Sequence, residues 1–155
     1  MHIFDTNSFR VLGNYFPDRF PSFWKLFDKS LSDGEIVSVR EVEREMEHHE
    51  PSKWILDRLK KHKGVFLLPD AAETAFVAKI FSIKHFQDLV GEKERLAGTP
   101  VADPFLIARA SARAGCVVTE EKLKPHAAKI PNVCDHFKIE CTNVEGFLKA
   151  KGWTF

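Results

Sequence analysis

Acidic side chains recur where short apolar runs stop. HIF (2–4) gives way to Asp5, with Thr6, Asn7 and Ser8 behind it. EIVSV (35–39) leads into a stretch carrying Glu41, Glu43 and Glu45, and CVVT (116–119) is followed by Glu120 and Glu121. Asp103 opens the apolar segment that feeds CVVT. If the apolar runs are strands of one parallel sheet, these acids share its carboxyl edge, where open parallel sheets bind ligands. Carboxylates gathered there repel one another and are costly to keep ionised unless a cation sits among them. Their oxygens are hard ligands that suit Mg2+ or Mn2+, ions that keep several waters and bind through a few carboxylates plus substrate phosphate.

The elements that would position these residues follow from periodicity. HIF, EIVSV, VFLLP, CVVT and a stretch near FKIECTNV read as short strands. Between them lie amphipathic stretches: a helix near 8–15, one over 21–31, then REVEREMEHH, SKWILDRLKKHK ended by Gly64, a long helix over about 70–86, and the helix after Asp103. In that last helix Asp103 is placed to cap, Pro104 fits the first turn and Gly115 can end it. Five strands separated by helices predict an α/β fold, a parallel sheet with helices on both faces. The stretch Gln87–Pro100, with its glycines and charges, reads as a connection. Trp24, Phe27 and Trp54, at helical spacing, read as core.

Composition bounds the possibilities. A chain of 155 residues with 44% hydrophobic and 29% charged residues is expected to be a single domain, 1–155, with a core of its own. A net charge of +1 gives no global preference for any partner, so nucleic acid would need a local patch. Cys116, Cys134 and Cys141 lack metal-ligand spacing and read as buried thiols of a reducing cytoplasm. No apolar run approaches the roughly 18 residues needed to cross a membrane, and the start MHIFDTNSF has no signal or transit features. No membrane association and a cytoplasmic location are expected.

The ordered set FDTNSF, IVSVREVEREM, VADPFLIARASARAGCVVTEEK and IPNVCDHFKIECTNVEGFL spans nearly the whole chain and resembles the PIN domain, a nuclease fold. It is most similar to the branch of VapC-type toxin ribonucleases and their prokaryotic relatives. The resemblance implies a PIN-like three-layer α/β/α sandwich with a central, mostly parallel sheet of about five strands. It also implies a Mg2+- or Mn2+-dependent ribonuclease. Asp5 then matches the first metal-binding acid, Asp103 the third and Glu121 the fourth, where the family more often carries aspartate. Glu41 and Glu45 lie four apart on one helical face while Glu43 points about 200 degrees away from Glu41. Of these, Glu45 best matches the family's second acid, with Glu41 in reserve. Thr119 and Asn7 match supporting positions, and Glu120 neighbours the fourth acid.

The resemblance further implies an RNA substrate, a cognate antitoxin protein and a homodimer. The alternatives are a PIN nuclease outside toxin systems, acting in RNA or DNA processing, and a degenerate PIN-like binding module. The basic run containing Lys122, Lys124 and Lys129 adjoins Glu121 and is the expected RNA contact, ahead of RLKKHK (58–63). Arg109 and Arg113 share a helix face that could meet a partner. His48, His49 and Glu50 resemble a metal cluster, but adjacent histidines on a helix diverge, and a solvated helix end is the expectation.

Overall fold

In a computed structural model that describes residues 1–48, 53–91 and 101–155, the chain forms an α/β structure around an all-parallel sheet. Its strands are β1 (His2–Phe4), β2 (Ile36–Val39), β3 (Phe66–Leu67), β4 (Cys116–Val118) and β5 (Glu140–Thr142), in the order β3-β2-β1-β4-β5. β1 is central, with His2 level with Ile36 of β2 on one side and Cys116 of β4 on the other. The short apolar runs are strands because both faces are covered. All four residues of β2 are buried, serine included.

The helices are α1 (Thr6–Leu12), α2 (Pro21–Ser32), α3 (Arg40–His48), α4 (Lys53–Leu59), α5 (Ala71–Phe81), α6 (Asp103–Arg113), α7 (Ile130–Phe137) and α8 (Val144–Lys151). Alternation along β1 sends successive side chains to opposite layers. Phe4 meets Phe27 of α2 and Phe147 of α8 edge-on, at centroid distances of 5.8 and 5.0 Å, and stacks on Phe9 at 5.3 Å. Ile3 faces the other way, toward the layer of α6, which packs on β1, β2 and β4 and is flanked by α5 and α7. Trp24 and Phe27 are core, as their spacing predicts, and Trp54 packs against them half-buried. Cys116, Cys134 and Cys141 are free thiols, of which Cys134 is buried as expected and the other two are half-buried. Among the described residues no helix is long and apolar enough to cross a membrane.

Three local expectations change. The helix expected over 70–86 stops at Phe81, where Ser82 caps it, and a 3-10 helix follows over Lys84–Leu89. α7 and α8 are helices that periodicity did not reveal, each only 8 residues long. The end of α6 differs as well: the left-handed residue is Ala114, at φ 46°, not Gly115. A Cβ on residue 115 would lie 2.5 Å from Ile3 Cδ1 and 3.2 Å from the Met1 carbonyl. The glycine is used for close packing against β1, and alanine takes the less favourable backbone conformation. Part of the Gln87–Pro100 stretch, residues 92–100, lies outside the described residues.

A buried ion pair fixes α6 against α5. Arg109 and Glu73 are 2.7 Å apart with their side chains 4% and 1% exposed, and Arg109 also donates to the Leu68 carbonyl at 2.8 Å. Glu73 is in turn part of the capping box that starts α5 from Asp70, and Asp70 pairs with Arg113 at 2.8 Å. The arginine face considered for a partner is therefore engaged within the chain. Arg109→Met leaves buried Glu73 with only the longer contact to Arg113, at 3.9 Å, as counter-charge and is expected to lower stability by about 3–5 kcal/mol, read from urea unfolding midpoints. An unchanged midpoint would show that Glu73 finds another partner or takes up a proton without cost.

Candidate functional site

β1 and β4 are neighbours whose connections diverge, from β1 toward β2 and from β4 toward β5, so the sheet has its switch point between them. Asp5 follows β1 there. Its backbone N–H continues the ladder to the Val118 carbonyl at 3.0 Å, and its carboxylate caps α1 by accepting from Thr6 N. The residue is only 4% exposed. Thr119, at the end of β4, is 1% exposed and donates its hydroxyl proton to Asp5 Oδ2 at 2.9 Å. Asn7 ties the two strand ends together: its Oδ1 accepts from Glu120 N at 2.9 Å and its side chain reaches the Thr119 hydroxyl at 3.4 Å. Two further buried hydroxyls satisfy carbonyls at this edge, Ser8 on Val118 at 3.0 Å and Ser38 on Phe4 at 2.6 Å.

Glu45 reaches this edge from the second turn of α3. One oxygen accepts from the Thr6 hydroxyl and the other from Ala102 N at 2.8 Å, immediately before α6. Glu41, a turn earlier, is buried beside Arg40 at 3.6 Å instead. Glu43 points outward to Lys60 at 3.4 Å, as its angular position predicts.

Asp103 is the first residue of α6, and its place corrects the capping reading. The N-cap is Ala102, which provides no side-chain hydrogen bond, and the Asp103 carboxylate accepts no hydrogen bond from the described residues. It lies half-buried, and the charges acting on it most are Asp5, Glu121 and Glu45, opposed by Lys129. Glu121 accepts from Ile130 N, the first N–H of α7, at 3.0 Å and pairs with Lys129 Nζ at 3.0 Å. Glu120 is half-buried and accepts from Val144 N at 2.9 Å at the start of α8.

Asp5, Glu45, Asp103 and Glu121 thus influence one another at one sheet edge. Burial, more than its acidic neighbours, raises Asp5 from 3.8 to about 7, against the opposing hydrogen bonds from Thr119 and Thr6. Burial and then the charges of Asp5, Glu121 and Glu45 hold Asp103 well above the usual carboxylate range. As they stand, no three acids, histidines or cysteines among the described residues close into a metal-holding group. Glu45 and Glu121 are turned onto internal donors instead. The donor set nonetheless fits a hard divalent cation: four carboxylates against one lysine, with Asp103 lacking any donor among the described residues.

The other candidates do not join this group. Lys122 and Lys124 are exposed on the following loop, whereas Lys129 is half-buried in its pair with Glu121. In the earlier basic run, Arg58 pairs with Asp28 at 2.9 Å and lies 4.7 Å over the Trp24 ring, and Lys60 pairs with Glu43 and Glu47. His48 is exposed, bonded to the Arg44 carbonyl at 2.8 Å, and His49 and Glu50 lie outside the described residues. Thr6 and Lys129 are the site residues whose roles the sequence did not disclose. A hydroxyl directly after the strand-end aspartate was the one available signal for Thr6.

The raised acids make stability pH-dependent. Asp5 keeps its proton in the folded, metal-free chain up to about pH 7 but loses it near 3.8 when unfolded. The folded state therefore binds the extra proton across that window, and Asp5's stabilising share, fullest at low pH, is lost as pH rises toward 7. The shift from 3.8 to about 7 corresponds to about 4 kcal/mol. Asp5→Asn is expected to remove that dependence, seen as a wild-type-minus-variant difference in urea midpoints between pH 4 and 7.5 in EDTA. Parallel profiles would mean that Asp5 is ionised throughout.

No curated protein and no solved structure matches the chain. One family model does, over residues 2–155, and the chain belongs to that family, described as Domain of unknown function (DUF4411).

Proposed function

We propose that this protein is a metal-dependent nuclease that hydrolyses RNA phosphodiester bonds. The observation that carries the reading is the meeting of Asp5, Glu45, Asp103 and Glu121 at the switch point of the sheet, with Asp5 and Asp103 held above their ordinary range by burial and then by neighbouring carboxylates. The resemblance to PIN domains, with DTN at 5–7, the helical Glu45, Asp103 before an apolar helix and Thr119 followed by acid, supports the same chemistry. Asp5, Glu45, Asp103 and Glu121 would hold Mg2+ or Mn2+, which when bound supplies a water acidic enough to attack phosphorus and a counter-charge for the phosphate oxygens.

The chain's own groups prepare that site. Thr119 and Thr6 N fix the Asp5 carboxylate, and the Thr6 hydroxyl and Ala102 N hold both oxygens of Glu45. Lys129 neutralises Glu121 and, being adjacent to the acids, is the cation placed to meet a substrate phosphate. Lys122 and Lys124 extend that charge along the loop. A role as the toxin of a type II toxin–antitoxin pair, with an antitoxin protein and a homodimer, rests on the family resemblance. A competing reading, a binding module with a degenerate site, is favoured by the engagement of Glu121 with Lys129 and Ile130 N.

Cleavage of structured RNA, single-stranded RNA and single-stranded DNA, with EDTA, Mg2+ or Mn2+, separates these readings. Metal-dependent RNA cleavage is expected, and Asp103→Asn should reduce it by at least about 100-fold, equivalent to a few kcal/mol of transition-state stabilisation. Folded protein that cleaves nothing with any metal would leave the binding module. The helix supplies a second test of the same site. Glu45→Gln is expected to cost about 100-fold in rate and Glu43→Gln less than about twofold. The reverse order would place the second acid elsewhere on α3.

A further inference from the structure

Beside the acids, a cavity of about 480 Å3 opens between the end of β4, the start of α7 and the end of β5. It shares Thr119 and Glu121 with the acidic group. Leu123, Pro131 and Ile139 give it apolar walls, and Asp135, Thr142 and Asn143 give it a polar rim. Leu123 is 58% exposed, so its side chain is available to a ligand in the cavity. Among the described residues no lysine or arginine lines the cavity, and its two carboxylates are paired with lysines outside it, Glu121 with Lys129 and Asp135 with Lys138 at 3.5 Å, so its lining offers a phosphate no cation of its own. The Thr142 hydroxyl and the Asn143 amide nitrogen make no hydrogen bond with described residues, while Asn143 Oδ1 is already taken by Gly146 N at 2.9 Å.

The geometry points to this cavity as a pocket for one unstacked nucleobase, guanine before the others, from the nucleotide beside the phosphodiester that the acids engage. This inference rests on the nuclease reading for its substrate. A base is flat, uncharged and apolar on both faces, matching walls of leucine, proline and isoleucine, and it carries its polarity at the edge. The Asp135 carboxylate, held at present only by an exposed contact of Oδ1 with Lys138 Nζ at 3.5 Å, can accept from guanine N1–H and N2–H in its place, and the Asn143 Nδ2, without a partner among the described residues, can donate to O6. Uracil offers a single N–H between two carbonyls and would leave the carboxylate half-satisfied and repelled. A base stacked in a duplex cannot enter, so the substrate is single-stranded RNA or a loop. Continuity through Thr119 and Glu121 places this base next to the reacting bond rather than at a remote site.

The test needs neither metal nor turnover. Guanosine and uridine, which carry no phosphate, are titrated into the metal-free full-length protein and followed by amide chemical shifts. Guanosine is expected to shift Ile139, Thr142 and Asn143 with at least tenfold tighter binding than uridine. Asp135→Asn and Leu123→Ala, both at exposed positions, should each weaken guanosine about tenfold, or about 1.4 kcal/mol. That pattern supports the pocket even if the protein cleaves no nucleic acid, in which case only the nuclease reading falls. No shift at millimolar guanosine, equal responses to both nucleosides, or binding indifferent to both variants overturns the pocket even if RNA is cleaved.

Discussion

Like charge gathered at one edge of an all-parallel sheet is the constraint around which the rest of the molecule is arranged. Because every strand runs the same way, everything that follows a strand emerges on the same side. The order β3-β2-β1-β4-β5 then sets Asp5 beside Thr119 and brings Glu121 within electrostatic reach of it. α3 and α6 add Glu45 and Asp103 from the flanks. Each acid that is compensated is compensated locally: Thr119 and Thr6 N on Asp5, the Thr6 hydroxyl and Ala102 N on Glu45, Lys129 and Ile130 N on Glu121. Asp103 has no such donor among the described residues, and burial followed by the charges of Asp5, Glu121 and Glu45 raises its proton affinity. The chain holds the group together with hydroxyls and backbone N–H groups, which bind a carboxylate without cancelling its charge, and admits one ammonium.

The donors are themselves tied to the fold's rigid parts. Thr119 is the last residue of the β4 run and Thr6 the first of α1, so both hydroxyls are fixed by the ladder and by the helix start. Ala102 N is positioned by α6, and α6 by the buried Arg109–Glu73 pair and by the glycine contact at 115 with Ile3. A buried ion pair is a poor source of net stability but a stringent one of geometry, because its partners cannot separate without exposing a bare charge to an apolar interior. Here that stringency sets the position of Asp103, eleven residues long though the helix is and with Arg109 more than a turn away from its start.

Much of this was legible in the residues. The inner strands announced themselves because both of their faces are covered, which puts adjacent buried apolar residues, Ile3 and Phe4, even in a three-residue strand such as HIF, and Glu45 was separable from Glu43 by helical angle alone. α7 and α8 escaped because eight residues hold barely two turns, too few for a 3.6-residue period to stand out, and because their starts are set at a distance by Glu121 and Glu120. The capping reading of Asp103 failed for a related reason. A cap needs the residue just outside the helix, and the chain enters α6 one residue earlier, so that Ala102 occupies that place and the aspartate is left to the acidic group. Lys129 was legible as a basic residue and not as a counter-charge, since only the turn that returns the chain to Ile130 sets it against Glu121.

The glutamate at 121 draws these strands of argument together. Where the resemblance would place the shorter aspartate, the longer side chain spans from the end of β4 to the first N–H of α7 and to Lys129. It therefore serves two structures at once. It contributes charge to the group around Asp103, and it anchors the helix whose Pro131 and Asp135 wall the adjoining cavity. Any cation entering the acidic group competes with Lys129 and with a helix terminus for the same two oxygens. Recruiting Glu121 to that cation thus carries the cost of loosening the start of α7, which couples the charge at the acids to the shape of the cavity beside them.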